Sequence, residues 1–309
     1  MTLERRPHLW LFGTVLLIAA LLVGSVHAAE APSAAPPSPA AATQPIDHGL
    51  RIFICGHSFH VGIRGCLPEV AQAAGIKDQT IIDCQFLGGS RVIQHWQLPD
   101  QANRAKAALA TGKVDVLTLS PHRKYPDEGI DLFTELALKH NPDIRIAVQE
   151  SWLPWDDPDA QRPATLKDRN AATAEALLRI HEPYFIAYRA QLEAINRKYG
   201  RQVVFVVPTG HALIALREKV RLGQAPGIAN QEGLFVDAMG HPGAALLALN
   251  TYCHFAVIYR RSPVGLAPPA MLKWASEATR GPLNRLLQEL AWDAVTKCPL
   301  SGVKAEAAK

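Results

Sequence analysis

From Gly49 onward the chain alternates short apolar runs with longer stretches of helical spacing, and this alternation constrains the fold more than any other feature. The runs Leu50–Cys55, Thr80–Leu87, Val114–Leu119, Ile144–Gln149 and Gln202–Val207 have the length of buried strands. Segments at about 61–75, 100–111, 128–140 and 165–199 carry helical spacing. Asn141-Pro142 closes the third of these, because the residue before proline disfavours the α region. Alternating strands and helices predict an α/β fold, a three-layer α/β/α sandwich with a five-stranded parallel sheet. The C-terminal third adds a helix near 211–221, a loop at 223–233 and an Ala/Leu-rich helix over about 243–259. A last helix is expected over about 282–296. No internal repeat or second domain is marked, so one domain is expected over 49–300, with 301–309 as a frayed tail.

The N-terminus reads as an export signal. Arg5 and Arg6 precede the mostly apolar stretch Leu9 to Gly24, and Val26-His27-Ala28 offers a small–x–small cleavage site. Cleavage would remove residues 1–28. The apolar stretch falls short of the roughly 20 residues of a full membrane span, although an uncleaved N-terminal anchor is the alternative. Residues 29–48 begin with a run of Ala, Pro and Ser that cannot bury a core and read as a linker. An exported chain, periplasmic or secreted, is expected, with no other membrane contact.

The chain has 32 basic and 28 acidic residues, scattered without a basic run. This excludes an electrostatic nucleic-acid footprint. The five cysteines, Cys55, Cys66, Cys84, Cys253 and Cys298, form no C-x-x-C motif, so neither a redox site nor a zinc ribbon is indicated. Export permits disulfides, but the odd number leaves at least one thiol free or paired between chains. Cys55, inside an apolar run, reads as buried and free.

Two local motifs carry chemistry. The first strand runs directly into Gly56-His57-Ser58 and then toward a helix. Parallel α/β sheets place their sites at the carboxyl ends of strands, and a helix N-terminus offers N–H groups to an anion. Ser58 is therefore a candidate nucleophile; alone, the same serine also suits a helix cap. The second motif is Asp237-Ala-Met-Gly-His241, just ahead of a helix. Serine activation needs an imidazole within hydrogen-bond reach and an acceptor that fixes its tautomer.

Together, a strand-end Gly-x-Ser and a C-terminal Asp…His pair on a five-strand α/β pattern resemble the SGNH/GDSL hydrolase superfamily over most of 49–260. Residues 250–265 resemble an exported bacterial subgroup of it. The resemblance implies sheet order 2-1-3-4-5, nucleophile Ser58, and catalytic partners Asp237 and His241. It also implies an oxyanion hole from the N–H groups of Ser58 and Gly89. Three positions depart from the family pattern. His57 directly precedes the serine, where the family usually has Asp or Asn. The Asp–His spacing is i, i+4 instead of i, i+3. After the third strand, Ser120-Pro121-His122 replaces the family's Gly-x-Asn-Asp, so either His122 or Ser120 is the third oxyanion donor or the hole has two backbone donors alone.

The implied reaction is acyl-ester hydrolysis through an acyl-enzyme, with no cofactor and no metal. The implied substrate is a small-molecule or carbohydrate ester, for example an O-acetylated sugar. Trp152 and Trp155, flanking the end of the fourth strand beside Glu150, are candidate walls for it, as is Trp96 beside His95. Two other readings stay open: a metal-dependent hydrolase built on His57, His60, His122 and His241, and a catalytically silent fold that binds a glycan or partner. Oligomeric state is not legible.

Overall fold

The computed structural model describes residues 44–157 and 166–304. Five strands form one parallel sheet: β1 (Arg51–Gly56), β2 (Thr80–Phe86), β3 (Val116–Leu119), β4 (Arg145–Gln149) and β5 (Val204–Val207). Their spatial order is β2-β1-β3-β4-β5, as the family resemblance implied. β1 lies inside the sheet, between β2 and β3, and is buried from Ile52 to Gly56, while β2, at the edge, alternates between exposed and covered positions. Each fully buried Ile or Phe of the central strands contributes roughly 1.5–3 kcal/mol.

Nine helices are seen among the described residues: α1 (Ile63–Ala73), α2 (Val92–Trp96), α3 (Arg104–Ala110), α4 (Glu128–His140), α5 (Leu166–Ala171), α6 (Ala174–Lys198), α7 (Thr209–Arg221), α8 (Ala244–Tyr259) and α9 (Glu277–Lys297). Two cores separate the layers. Ile52, Ile54, Val116 and Val207 pack on one face against α1, α7 and α8, with α9 stacked outside α8. Phe53, Leu117, Ile146 and Val204 pack on the other against α3, α4 and α6. The result is the three-layer sandwich, thickened on one side by α9.

Helix boundaries follow local caps. The 165–199 stretch is two helices, because the Thr173 hydroxyl accepts from the Ala176 N–H and starts α6 anew. α9 begins at Glu277, ahead of the sequence expectation, because Ser276 caps it; Pro282 lies inside. α2 is too short to carry a periodic signal, and it is held by Asp127, whose carboxylate accepts from the Val92 and Ile93 N–H groups and from Gly129 at the start of α4.

The packed chain starts earlier and ends later than the sequence suggested. Ile46 is buried and donates its N–H to the Tyr259 carbonyl, and Ser301 and Val303 are buried. The expected export signal, residues 1–28, lies outside the described residues, as do residues 29–43 and 305–309. No helix among the described residues is long and apolar enough to cross a membrane. All five cysteines are free, and Cys55 is fully buried.

Candidate active site

Ser58 stands in a turn at the carboxyl end of β1. α1 begins only at Ile63, so turn N–H groups and not the helix terminus surround the serine. Gly56 is required just before it. A Cβ there would meet His60 Nδ1 at 2.4 Å and Ser120 Cβ at 3.0 Å. At the other end of the chain, the segment between residues 234 and 243 folds into a closed turn. Phe235 and Pro242 pair antiparallel, Val236 N–H donates to the His241 carbonyl, and Gly243 N–H donates to Leu234.

This turn brings three residues into line. Ser58 Oγ lies 2.8 Å from His241 Nε2, and His241 Nδ1 lies 2.6 Å from Asp237 Oδ2. A carboxylate can only accept, so Nδ1 carries the proton and Nε2 is left to accept from the serine hydroxyl. Asp237 Oδ1 also accepts from the N–H groups of Gly240 and His241, at 3.0 and 3.1 Å. One carboxylate thus holds both the turn and the ring. Gly240 adopts φ +105°, open to glycine and strained for other residues, and this turn absorbs the extra residue of the i, i+4 spacing. Partial burial works to raise the Asp237 pKa, but the hydrogen bonds from His241 and Gly240 outweigh it and hold the carboxyl below its ordinary value.

Aromatic rings brace the histidine. Phe59 meets the His241 ring edge-on at 5.1 Å and stacks in parallel on Trp152 at 4.9 Å. Trp152 donates its indole N–H to the Gly240 carbonyl at 2.9 Å. A buried charge cluster supports the turn from below. Arg169 donates to the carbonyls of Asp237 and Ala238. Arg169 and Arg217 both pair with Asp156, at 3.7 and 2.7 Å, and all three side chains are nearly inaccessible. Neither Phe59 nor this cluster carries a sequence signal, since its members lie far apart in the chain.

Ser58 and His241 open into a cavity of about 430 Å³, also lined by Gly89, His122, Arg123 and Trp152. Among the described residues, the Ser58 and Gly89 N–H groups have no hydrogen-bond acceptor. His122 and Ser120, the two alternatives for the third donor, separate clearly. Ser120 is fully buried and its hydroxyl lies 3.1 Å from His57 Nε2 and 3.3 Å from Ser151 Oγ. His122 faces the cavity, and burial, reinforced by the Arg123 charge, pushes its pKa down to about 4. It is neutral at pH 7 and keeps one ring N–H.

His57, the departure beside the serine, is structural. Phe59 N–H donates to its Nδ1, so Nε2–H faces the Pro121 carbonyl and Ser120. Burial, with further help from His122, lowers its pKa to about 3. His60 turns away from the cavity and packs against His254, with ring centroids 5.2 Å apart. His60 is thus separated from His57, His122 and His241, which line the cavity, and among the described residues no group of three or more His, Cys, Asp or Glu is placed to hold a metal.

Several expected wall residues lie elsewhere. Trp96 packs edge-on against Phe133 on the α4 side, under the Lys106 ammonium, and does not line the cavity. Its neighbour His95 is buried, bonded to Ser90 Oγ at 2.8 Å and facing Gln85, so it shapes the loop that carries Gly89. Trp155 is spent on the His241 turn, donating its backbone N–H to Met239, and is absent from the cavity wall. Glu150 is fully buried against His211 at 2.5 Å and Arg189 at 3.2 Å. Of the three tryptophans only Trp152 reaches the cavity, and at 3% exposure it offers little more than an edge.

No family model and no curated protein sequence matches the chain. Solved structures do. A DUF4886 family protein from Bacteroides uniformis is 14% identical with a TM-score of 0.52, over 81% of this chain and 96% of that one. A candidate SGNH hydrolase from Slackia heliotrinireducens is 16% identical with a TM-score of 0.39, over 67% and 97%. A candidate GDSL-like lipase from Parabacteroides merdae is 12% identical with a TM-score of 0.39, over 82% and 98%. Identities this low speak to fold alone. With its parallel 2-1-3-4-5 sheet, a serine at the end of β1 and an Asp–His turn ahead of α8, the chain has the three-layer α/β/α fold that its resemblance to SGNH/GDSL hydrolases implied.

Proposed function

We propose that the protein is an exported serine hydrolase that cleaves acyl esters through an acyl-enzyme, with Ser58 as nucleophile, His241 as general base and acid, and Asp237 as its orienting carboxylate. The observation that carries this reading is the continuous hydrogen-bond line from Ser58 Oγ through the His241 ring to Asp237. His241 Nε2 takes the serine proton as Oγ attacks the acyl carbon. The resulting oxyanion is met by the N–H groups of Ser58 and Gly89 and by the neutral His122 ring. His241 then returns its proton to the leaving alcohol oxygen. Water enters, loses a proton to His241, attacks the acyl carbon, and Ser58 regains its proton as the acid leaves. The line needs no cofactor. The finer reading, a carbohydrate O-acetyl esterase, is supported by the cavity's volume, which suits a small ester.

Fluorophosphonate labelling of the purified protein, read by intact mass and peptide mapping, tests the core of this reading. A single adduct on Ser58 is expected, absent from Ser58→Ala and strongly reduced in His241→Ala. An unlabelled Ser58, under conditions that label a control hydrolase, would overturn it.

A further inference from the structure

Arg123 lines the same cavity as Ser58 and His241. One of its terminal guanidinium nitrogens is buried and has no hydrogen-bond partner. Several other covered arginines have charged or carbonyl partners. Arg169 and Arg217 pair with Asp156, Arg189 pairs with Glu150, and Arg145 donates to the Val257 and Ile258 carbonyls at the end of α8. Among the described residues lining the cavity there is no aspartate or glutamate, so nothing there offsets the Arg123 charge. Its sequence neighbour in the cavity wall, His122, is neutral at pH 7. A covered charged donor nitrogen left unmatched is costly, and the cost is recovered when a ligand supplies the acceptor. The remaining wall is largely apolar, from Phe59, Phe86, Trp152 and Met239, which strengthens any ion pair formed inside it.

We propose that Arg123 selects esters that carry a carboxylate, its guanidinium pairing with that group while the ester carbonyl sits at Ser58. This deepens the serine-hydrolase reading and rests on it. The carboxylate has two possible positions, on the acyl part, as in a dicarboxylic half-ester, or on the alcohol part, as in an O-acylated acidic sugar. Guanidinium and carboxylate match in plane and charge, and the cavity is small enough for one ligand to span both groups.

The test compares two pairs of activated esters. The 4-nitrophenyl half-ester of glutaric acid is set against 4-nitrophenyl valerate, and 4-acetoxybenzoate against 4-acetoxybenzamide. The wild type is expected to favour the charged member of one pair by tenfold or more in kcat/KM. The pair that shows it tells on which side of the ester the carboxylate lies. Arg123→Gln, checked for folding by its melting transition, is expected to cut that charged-to-neutral ratio by about tenfold to a hundredfold, the usual range for a charge-assisted hydrogen bond. Lys124→Gln, at the exposed neighbouring position, is expected to leave the ratio as it is. A wild type without preference in either pair overturns the proposal, as does an unchanged ratio in Arg123→Gln. If Ser58 takes no fluorophosphonate and no ester turns over, the hydrolase reading itself has failed. Calorimetric titration with glutarate and 4-hydroxybenzoate then decides: binding lost in Arg123→Gln upholds carboxylate recognition, and no binding to the wild type overturns it.

Discussion

The third oxyanion donor is the residue on which the proposed chemistry turns. A side-chain amide is missing after β3, and the imidazole of His122 stands at the cavity instead. Burial keeps it neutral, so it can donate a hydrogen bond without adding a positive charge to the cavity in which the His241 ring must itself become cationic. Removing one oxyanion donor typically costs about 10²–10³ in rate. His122→Ala is therefore expected to lower kcat on an activated acetyl ester by that order, and His122→Asn to recover a large part of it. Wild-type kcat in His122→Ala would mean that the backbone donors of Ser58 and Gly89 act alone.

At the scale of elements, the His241 turn is held by α5 and α7 more than by its own sequence. Arg169, on α5, reaches the carbonyls of Asp237 and Ala238, and Arg217, on α7, shares Asp156 with it. Removing Arg169 leaves Asp156 paired with Arg217 but takes the charged donor from two carbonyls, at roughly 1.5–3 kcal/mol each. Arg169→Met is expected to lower the melting temperature by on the order of 10 °C. It should also slow fluorophosphonate labelling of Ser58, because two carbonyls that set the Asp237–His241 geometry lose their donors. A lowered melting temperature with an unchanged labelling rate would show that Arg169 stabilises the fold without positioning the histidine.

Across the whole molecule, buried histidines set the acid limit. Burial is the leading cause that lowers the pKa of His57 to about 3, of His95, His181 and His254 to about 4, and of His60 well below the usual value. In the unfolded chain these rings titrate near 6.5. Between about pH 6.5 and 4 the unfolded state therefore binds more protons, and stability rises with pH. Their contribution is complete above about pH 6.5 and is lost as the pH falls through the folded values. Thermal melts from pH 7.5 to 4.5 should show a steady fall in midpoint, steepest below pH 6.5. A flat profile would mean that these rings are open to protons in the native state.

The alternation of five apolar runs with helical stretches was sufficient to predict the sheet and its helical layers, because periods of 2 and 3.6 are local properties of the chain. Gly56-x-Ser58 and the Asp237…His241 turn were legible for the same reason: each is a short local motif. That they meet was not local. Ser58 and His241 are 183 residues apart in sequence, and the hydrogen bond between them exists only once β1 and the turn ahead of α8 reach the same end of the sheet. The tryptophans show the limit most plainly. Trp96, Trp152 and Trp155 read alike in sequence, yet one packs against α4, one braces Phe59 at the cavity and one gives its backbone N–H to the His241 turn. Sequence by itself determined which elements form and which side chains can do chemistry. Tertiary structure alone decided which of them face the cavity, because burial and partnership depend on contacts between distant segments.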